Sequence, residues 1–190
     1  MHVKHLLVCA MATALLVPAP AIVAESDHTQ HATHVAQRMG HGADALPGAV
    51  RRATEQFLDP AAAIAAGYAD TQNCVSGPEE GAMGVHLVKL SLFDGTLDVD
   101  EPEALLYEPK NGRFRLVAAE YIAPAAAWQA GNPGIQPILM GHLFHLIPGP
   151  NRYGPDAFYE LHVWAWKNNP RGTFSDWNPN VSCVGFEGED

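Results

Sequence analysis

The chain has 190 residues, 47% of them hydrophobic, and a formal net charge of −10 at neutral pH. The balance of 21 acidic against 11 basic side chains argues against nucleic acid and anionic membrane surfaces as partners, and it admits cations. The three cysteines are Cys9, Cys74 and Cys183.

The first 24 residues read as an export signal. Lys4 and His5 precede a short apolar run over residues 6–17, and an Ala-rich stretch offers cleavage after Ala21 or Ala24. The run is shorter than the ~18 residues of a membrane span, so no stable membrane insertion is expected. Removal takes away Lys4 alone among charged side chains and leaves Cys74 and Cys183 as a pair. In an oxidising compartment, periplasmic or secreted, that pair is expected to form a disulfide. The chain-entropy model credits a ~100-residue loop with roughly 4–5 kcal/mol. Residues 25–48 form a leader rich in His, Ala, Gly and Thr, with His28, His31, His34 and His41 and little apolar periodicity. It reads as a flexible tether, and its neutral imidazoles are able to capture a borderline metal.

Residues 49–186 are expected to make one globular domain, with a frayed acidic tail over 187–190. Residues 47–67 read as helix in two pieces, with Val50, Ala53, Phe57 and Leu58 as the apolar stripe. Asp59 caps the second piece, Pro60 opens it and Gly67 closes it. Residues 68–84 read as a loop carrying Cys74, and 84–93 as a strand in which His86 faces inward because Lys89 belongs to the other face.

Asn111-Gly112 between two apolar runs marks a hairpin over residues 104–122. A two-residue turn pairs Lys110 with Arg113 and Glu108 with Arg115. The same register puts Leu105, Tyr107, Leu116, Ala118 and Glu120 on the opposite face. An ionised Glu120 on an apolar surface is costly unless it is paired or coordinated, and a one-residue slip would move it to the other face. Residues 124–137 read as a loop with Trp128. Residues 138–147 read as a strand whose His142 and His145, three apart, point to opposite faces.

Residues 158–166, Phe-Tyr-Glu-Leu-His-Val-Trp-Ala-Trp, read as a buried strand rich in aromatic and β-branched side chains. Alternation places Glu160, His162, Trp164 and Trp166 on one face. A helical entry followed by four to six short strands gives an α+β domain with a mostly antiparallel sheet, a small β-barrel or half-barrel being the preferred picture and a sandwich the next.

Dinucleotide, phosphate-loop, α/β-hydrolase and zincin signatures are all absent from the sequence. What carries chemistry is His86, Glu120 and His162, each mid-strand among apolar neighbours. Two imidazoles and a carboxylate are the ligand set of an open mononuclear site for a divalent transition metal: zinc, iron, manganese or copper. Glu160 is the expected partner that orients His162, and His142 or His145 a possible fourth ligand. Two metal-free readings stand beside this one. The cluster can be structural, in an envelope protein, or Tyr107, Trp164 and Trp166 can line a small-molecule pocket.

The chain also resembles an uncharacterised family of exported bacterial proteins. The resemblance rests on Ala65-Ala66-Gly67-Tyr68, Gly81-Ala82-Met83-Gly84-Val85-His86, Pro102-Glu103-Ala104-Leu105-Leu106-Tyr107-Glu108-Pro109, Ala119-Glu120-Tyr121, Leu161-His162-Val163-Trp164 and Trp177-Asn178-Pro179-Asn180-Val181-Ser182-Cys183. It implies export and brings no activity with it.

Overall fold

Asp59 accepts a hydrogen bond from Ala61 N at 3.0 Å, with Pro60 in the first turn, and so starts a helix where the sequence places one. This computed structural model describes residues 45–186; the expected signal, most of the leader with its four histidines, and the tail over 187–190 lie outside the described residues. Helix α1 (Ala45–Thr54) starts two residues ahead of Pro47 and buries Leu46 and Val50. A 3-10 turn (Glu55–Phe57) leads into α2 (Pro60–Ala65). Phe57 is buried, whereas Leu58 leaves the expected stripe and is 48% exposed.

Eight strands follow: β1 (Ala69–Gly77), β2 (Gly81–Val88), β3 (Ala104–Lys110), β4 (Arg113–Pro124), β5 (Ile138–Leu139), β6 (His142–Leu143), β7 (His145–Ile147) and β8 (Phe158–Val163). A short α3 (Ala125–Gly131) replaces part of the loop expected around Trp128. The main sheet is antiparallel throughout, in the order β1-β2-β3-β4-β8-β7, and β5 pairs only with β6. The N-terminal helix and antiparallel sheet agree with the α+β expectation. The barrel does not: the two edge strands, β1 and β7, do not pair, and no closed barrel forms among the described residues. Nor, among the described residues, do two comparable sheets stack as a sandwich.

The physical reason is that both faces of the central strands are covered by other means. Strand β4 is buried along eight consecutive residues, Leu116 to Ala123. On one face, α1 and the turn after it pack against Tyr121, Leu161 and Val163, and Tyr107 Oη donates to Phe57 O at 2.6 Å. On the other face lie the connecting segments that carry Phe93, Tyr153 and Asp176, with Tyr153 edge-on to His86 and Phe93. A sheet covered on both sides has no apolar face left for closure to bury.

Residues 68–84 are not a loop. Strand β1 occupies most of them, although it is polar and interrupted by register shifts between Asp70 and Cys74 and between Val75 and Ser76. Its short apolar content hid it, and the Cys74–Cys183 disulfide, spanning 109 residues, ties this edge to the C-terminal segment. The single strand expected over 138–147 is three short ones, because Met140 and Gly141 both take positive φ and reverse the chain.

Glu103, at the head of β3, is 1% exposed, and its Oε2 accepts from Ile122 N at 2.9 Å. Burial lifts this carboxyl to about 8, aided by the nearby charges of Glu120 and Asp94 and opposed by the amide bond. The folded state therefore holds a proton that the unfolded chain releases, so stability falls as pH rises from about 4.5 to about 8 and is level beyond. We expect Glu103→Gln to raise the melting temperature at pH 9 by at least ~3 °C more than at pH 5, read by scanning calorimetry. Equal shifts at both pH values would show that Glu103 is not a neutral acid in the fold. Replacing both Cys74 and Cys183 by alanine should cost about 4–5 kcal/mol in denaturant unfolding, given the length of the loop they close.

Candidate metal centre

One extra residue in β4 builds the site. Tyr107 pairs with Leu116, yet Leu106 pairs with Ala118, so Val117 is a bulge. Its carbonyl accepts instead from Trp166 N at 3.1 Å. The expected partners near the turn, Lys110 with Arg113 and Glu108 with Arg115, are as read from sequence. Beyond the bulge every side chain changes face. Glu120 now sits opposite Ala104 and shares its face with Leu106, not with Leu105 and Tyr107 as expected. Leu106 pairs with His86, and Glu120 pairs with His162. The bulge thus brings all three side chains to one face.

His86, Glu120 and His162 are 0–1% exposed, and one donor atom from each lies within 4.8 Å of the others. His86 Nε2 is 3.4 Å from Glu120 Oε2, and His162 Nε2 is 3.9 Å from the same oxygen. Among the described residues neither imidazole Nε2 has a hydrogen-bond partner, nor has His162 Nδ1. His86 Nδ1 faces Gly84 O at 3.2 Å, which places its N–H there and its lone pair on Nε2, toward Glu120. Gly84 itself has φ +101, and a Cβ on it would come within 2.5 Å of Tyr107 O, so only glycine lets β2 press this closely on β3.

The far side of the cluster was not anticipated. Arg152 and Tyr153 lie on a turn closed by Asn151 N donating to Gly154 O at 2.8 Å, and they project into the site. Arg152 Nη2 donates to Glu120 Oε1 at 2.5 Å and also to Glu160 Oε2. Tyr153 Oη donates to Glu120 Oε2 at 2.7 Å. Asp176 Oδ1 lies 3.5 Å from His162 Nδ1 and 3.1 Å from His145 Nε2. Only weak signals pointed to these residues: a lone Arg-Tyr pair in a turn-rich loop, and a lone Asp before Trp177.

Several expected neighbours fall elsewhere. Glu160 does not orient His162; it bonds His145 Nε2 at 3.0 Å and Arg152, and Asp176 is the carboxylate facing His162. His145 therefore belongs to an adjoining cluster with Glu160 and Asp176. His142 stacks on Phe174 at a ring separation of 3.9 Å, on the β5–β6 hairpin. Tyr107 is on the opposite face. Trp166 follows the end of β8 at Val163, and its Nε1 donates to Thr54 Oγ1 at 2.9 Å on the helix side. Trp164 is buried, with Nε1 bonded to Ser175 O. The aromatic pocket of Tyr107, Trp164 and Trp166 is not assembled.

Burial and charge compete at each titrating group. For His86 burial wins over the attraction of Glu120, and its pKa falls. Burial also opposes charge on His162, but Glu120 and Asp176 outweigh it and its pKa rises. Burial opposes ionisation of Glu120, yet the charges of Arg152 and His162 hold it well below the usual carboxylate range. Asp176 and Glu160 push His145 up to about 10 against the opposing effect of burial.

No protein-family model, curated protein or solved structure matches the chain.

Removing one partner of a buried ion pair strands the other. We expect Glu120→Ala to destabilise the fold by about 3–5 kcal/mol in denaturant titration. Adding Arg152→Leu should recover a large share of that loss. A double variant as unstable as the sum of the two single variants would show that the two charges are not coupled.

Proposed function

We propose that this protein binds one divalent transition-metal ion through His86 Nε2, His162 Nε2 and Glu120 Oε2. The observation that carries the reading is the spacing of these atoms. Hydrogen bonds between such groups prefer about 2.7–3.2 Å. Atoms ligating one tetrahedral ion with bonds of ~2.0–2.1 Å stand roughly 3.3–3.4 Å apart. The separations of 3.4 and 3.9 Å from Glu120 Oε2 are too long for the first arrangement and close to the second.

The orientation of the rings supports the same reading. Backbone carbonyl and carboxylate partners commonly hold the distal nitrogen of ligating histidines, and Gly84 O and Asp176 stand in those places here. Zinc, iron, manganese and copper all suit two imidazoles and a carboxylate. Ligands that are 0–1% exposed favour an ion that is held and exchanges slowly over one that turns over bulky substrates. Were a fourth position open to water or dioxygen, it would supply the Lewis acid chemistry of such centres. The disulfide fits an oxidising compartment, periplasmic or secreted, as the site of action.

A second reading has its own support. Arg152 and Tyr153 already bond Glu120, so the cluster can serve as a metal-free polar core with His162 protonated. Elemental analysis separates the two. It should be run on untagged chain with His28, His31, His34 and His41 replaced by glutamine, so that the leader does not contribute. We expect about one transition-metal ion per chain, lost in both His86→Ala and His162→Ala while circular dichroism stays unchanged. Equal metal content in the parent and both variants would overturn the assignment, and its absence from all of them would establish the metal-free core.

A further inference from the structure

We propose a second, solvent-facing cation site at the edge of the sheet, formed by His145 Nε2, Glu160 Oε1 and Asp176 Oδ1, for a divalent ion that prefers six ligands, such as Mn²⁺. Each of the three residues offers one donor atom, and these atoms lie within 4.8 Å of one another. The site shares no ligand with the interior one and stands or falls apart from it.

The strand register and one fastened loop bring the three together. His145 opens the edge strand β7 and stands directly opposite Glu160 on β8, so pairing alone sets the imidazole beside the carboxylate. Asp176 comes from the segment that covers this face. That segment is held by the chain at the end of β8: Trp164 N donates to Thr173 O at 2.9 Å, and Trp164 Nε1 donates to Ser175 O at 2.5 Å. Arg152 bonds the other oxygen of Glu160, Oε2, which fixes the carboxylate and leaves Oε1 facing His145.

A mismatch between these donors and the bonds they make points to an ion. His145 Nε2 is 3.0 Å from Glu160 Oε1 and 3.1 Å from Asp176 Oδ1. A ring nitrogen carries at most one proton, aimed in one direction. That contact goes to Glu160, and Asp176 Oδ1 is left buried with no hydrogen-bond partner among the described residues. A buried acceptor without a partner is costly. A cation is not directional in this way, and it would satisfy both oxygens and the ring nitrogen at once. The spacing suits such an ion. Neighbouring corners of an octahedron with bonds of ~2.1 Å stand roughly 3.0 Å apart, whereas tetrahedral ligands need about 3.3–3.4 Å. The outer cluster therefore fits a six-coordinate ion, and the interior one fits four. Two carboxylates with one imidazole are also the harder donor set, which suits Mn²⁺.

The side chains of His145 and Asp176 are 44% and 27% exposed, so the remaining positions of the ion face water. An ion there exchanges with solvent. It is bound only while free metal is present and does not add to the ion retained through purification. Asp176 and Glu160, which push His145 up to about 10, attract a doubly charged ion as well, and its binding displaces the proton.

Electron paramagnetic resonance of free Mn²⁺ counts the ions bound. The titration uses the full chain at mildly alkaline pH, with the four leader histidines replaced by glutamine and with His86→Ala, which breaks the interior ligand set. We expect about one Mn²⁺ per chain. Binding should weaken by roughly tenfold or more when either His145→Gln or Asp176→Asn is added. Both positions are partly exposed, so circular dichroism should stay unchanged. Glu79→Gln, at an exposed acid elsewhere, should leave binding as it was. Absence of binding in the His86→Ala chain would overturn the site, and so would undiminished binding in either variant. An equal loss in Glu79→Gln would overturn it too, by marking the ions as drawn to the overall negative charge. The elemental analysis of the interior site does not bear on these outcomes, because His86→Ala removes that site from the titration.

Discussion

A carboxylate taken out of water is the most expensive group in this core, and the structure around β4 is arranged to hold it ionised. An isolated buried charge costs several kcal/mol even after relaxation, so Glu120 demands compensation from every side. Its two oxygens are served separately. Oε1 meets the guanidinium of Arg152, while Oε2 meets the hydroxyl of Tyr153 and faces both imidazoles. This division matters for the proposed ion. A metal on Oε2 would leave the Arg152 contact on Oε1 in place, so ion and arginine need not compete for one atom.

The compensation extends outward as a chain of opposite charges. Arg152 links Glu120 to Glu160, Glu160 meets His145, and His145 meets Asp176, which turns back toward His162. His145 is the member nearest solvent, with 44% of its side chain exposed. The links join β4, β7 and β8 to the turn at Arg152 and the segment at Asp176. Such a network fixes the two connecting segments against the sheet with hydrogen bonds where apolar packing alone would leave them free to slide. This also explains how an open sheet keeps a dry second face. The covering segments have little regular structure of their own, and the charges pin them.

What was legible in the sequence follows from which signals are local. The Asp59-Pro60 helix start, the Asn111-Gly112 turn and the three buried polar side chains all declare themselves within a few residues. The Val117 bulge does not, because an extra residue in a strand leaves no mark in the hydrophobic pattern of Arg-Phe-Arg-Leu-Val-Ala-Ala-Glu. The sequence reading therefore put Glu120 on the wrong face and still grouped it with His86 and His162, since those two were assigned inward on grounds independent of the hairpin. Tyr107 was lost from the site for the same reason. Arg152, Tyr153 and Asp176 were missed because loop residues carry no periodicity from which to infer direction. The expectation of a barrel failed on a related point: apolar strands do not reveal whether helices, loops or more strands will cover them.

The same bulge also directs the chain that follows β8. Freeing Val117 O from the ladder lets it take Trp166 N, and that bond carries the chain after β8 across to the helix side of the sheet. Trp166 then reaches Thr54 and forms a wall of the hairpin cleft. In a regular hairpin Glu120 would face the helices and Val117 O would bond within the sheet. The buried cluster would then lose its central carboxylate and the cleft its aromatic wall. One inserted residue thus decides which face of the sheet receives the central carboxylate and where the chain goes after β8. The sheet lies between Trp166 and the imidazoles.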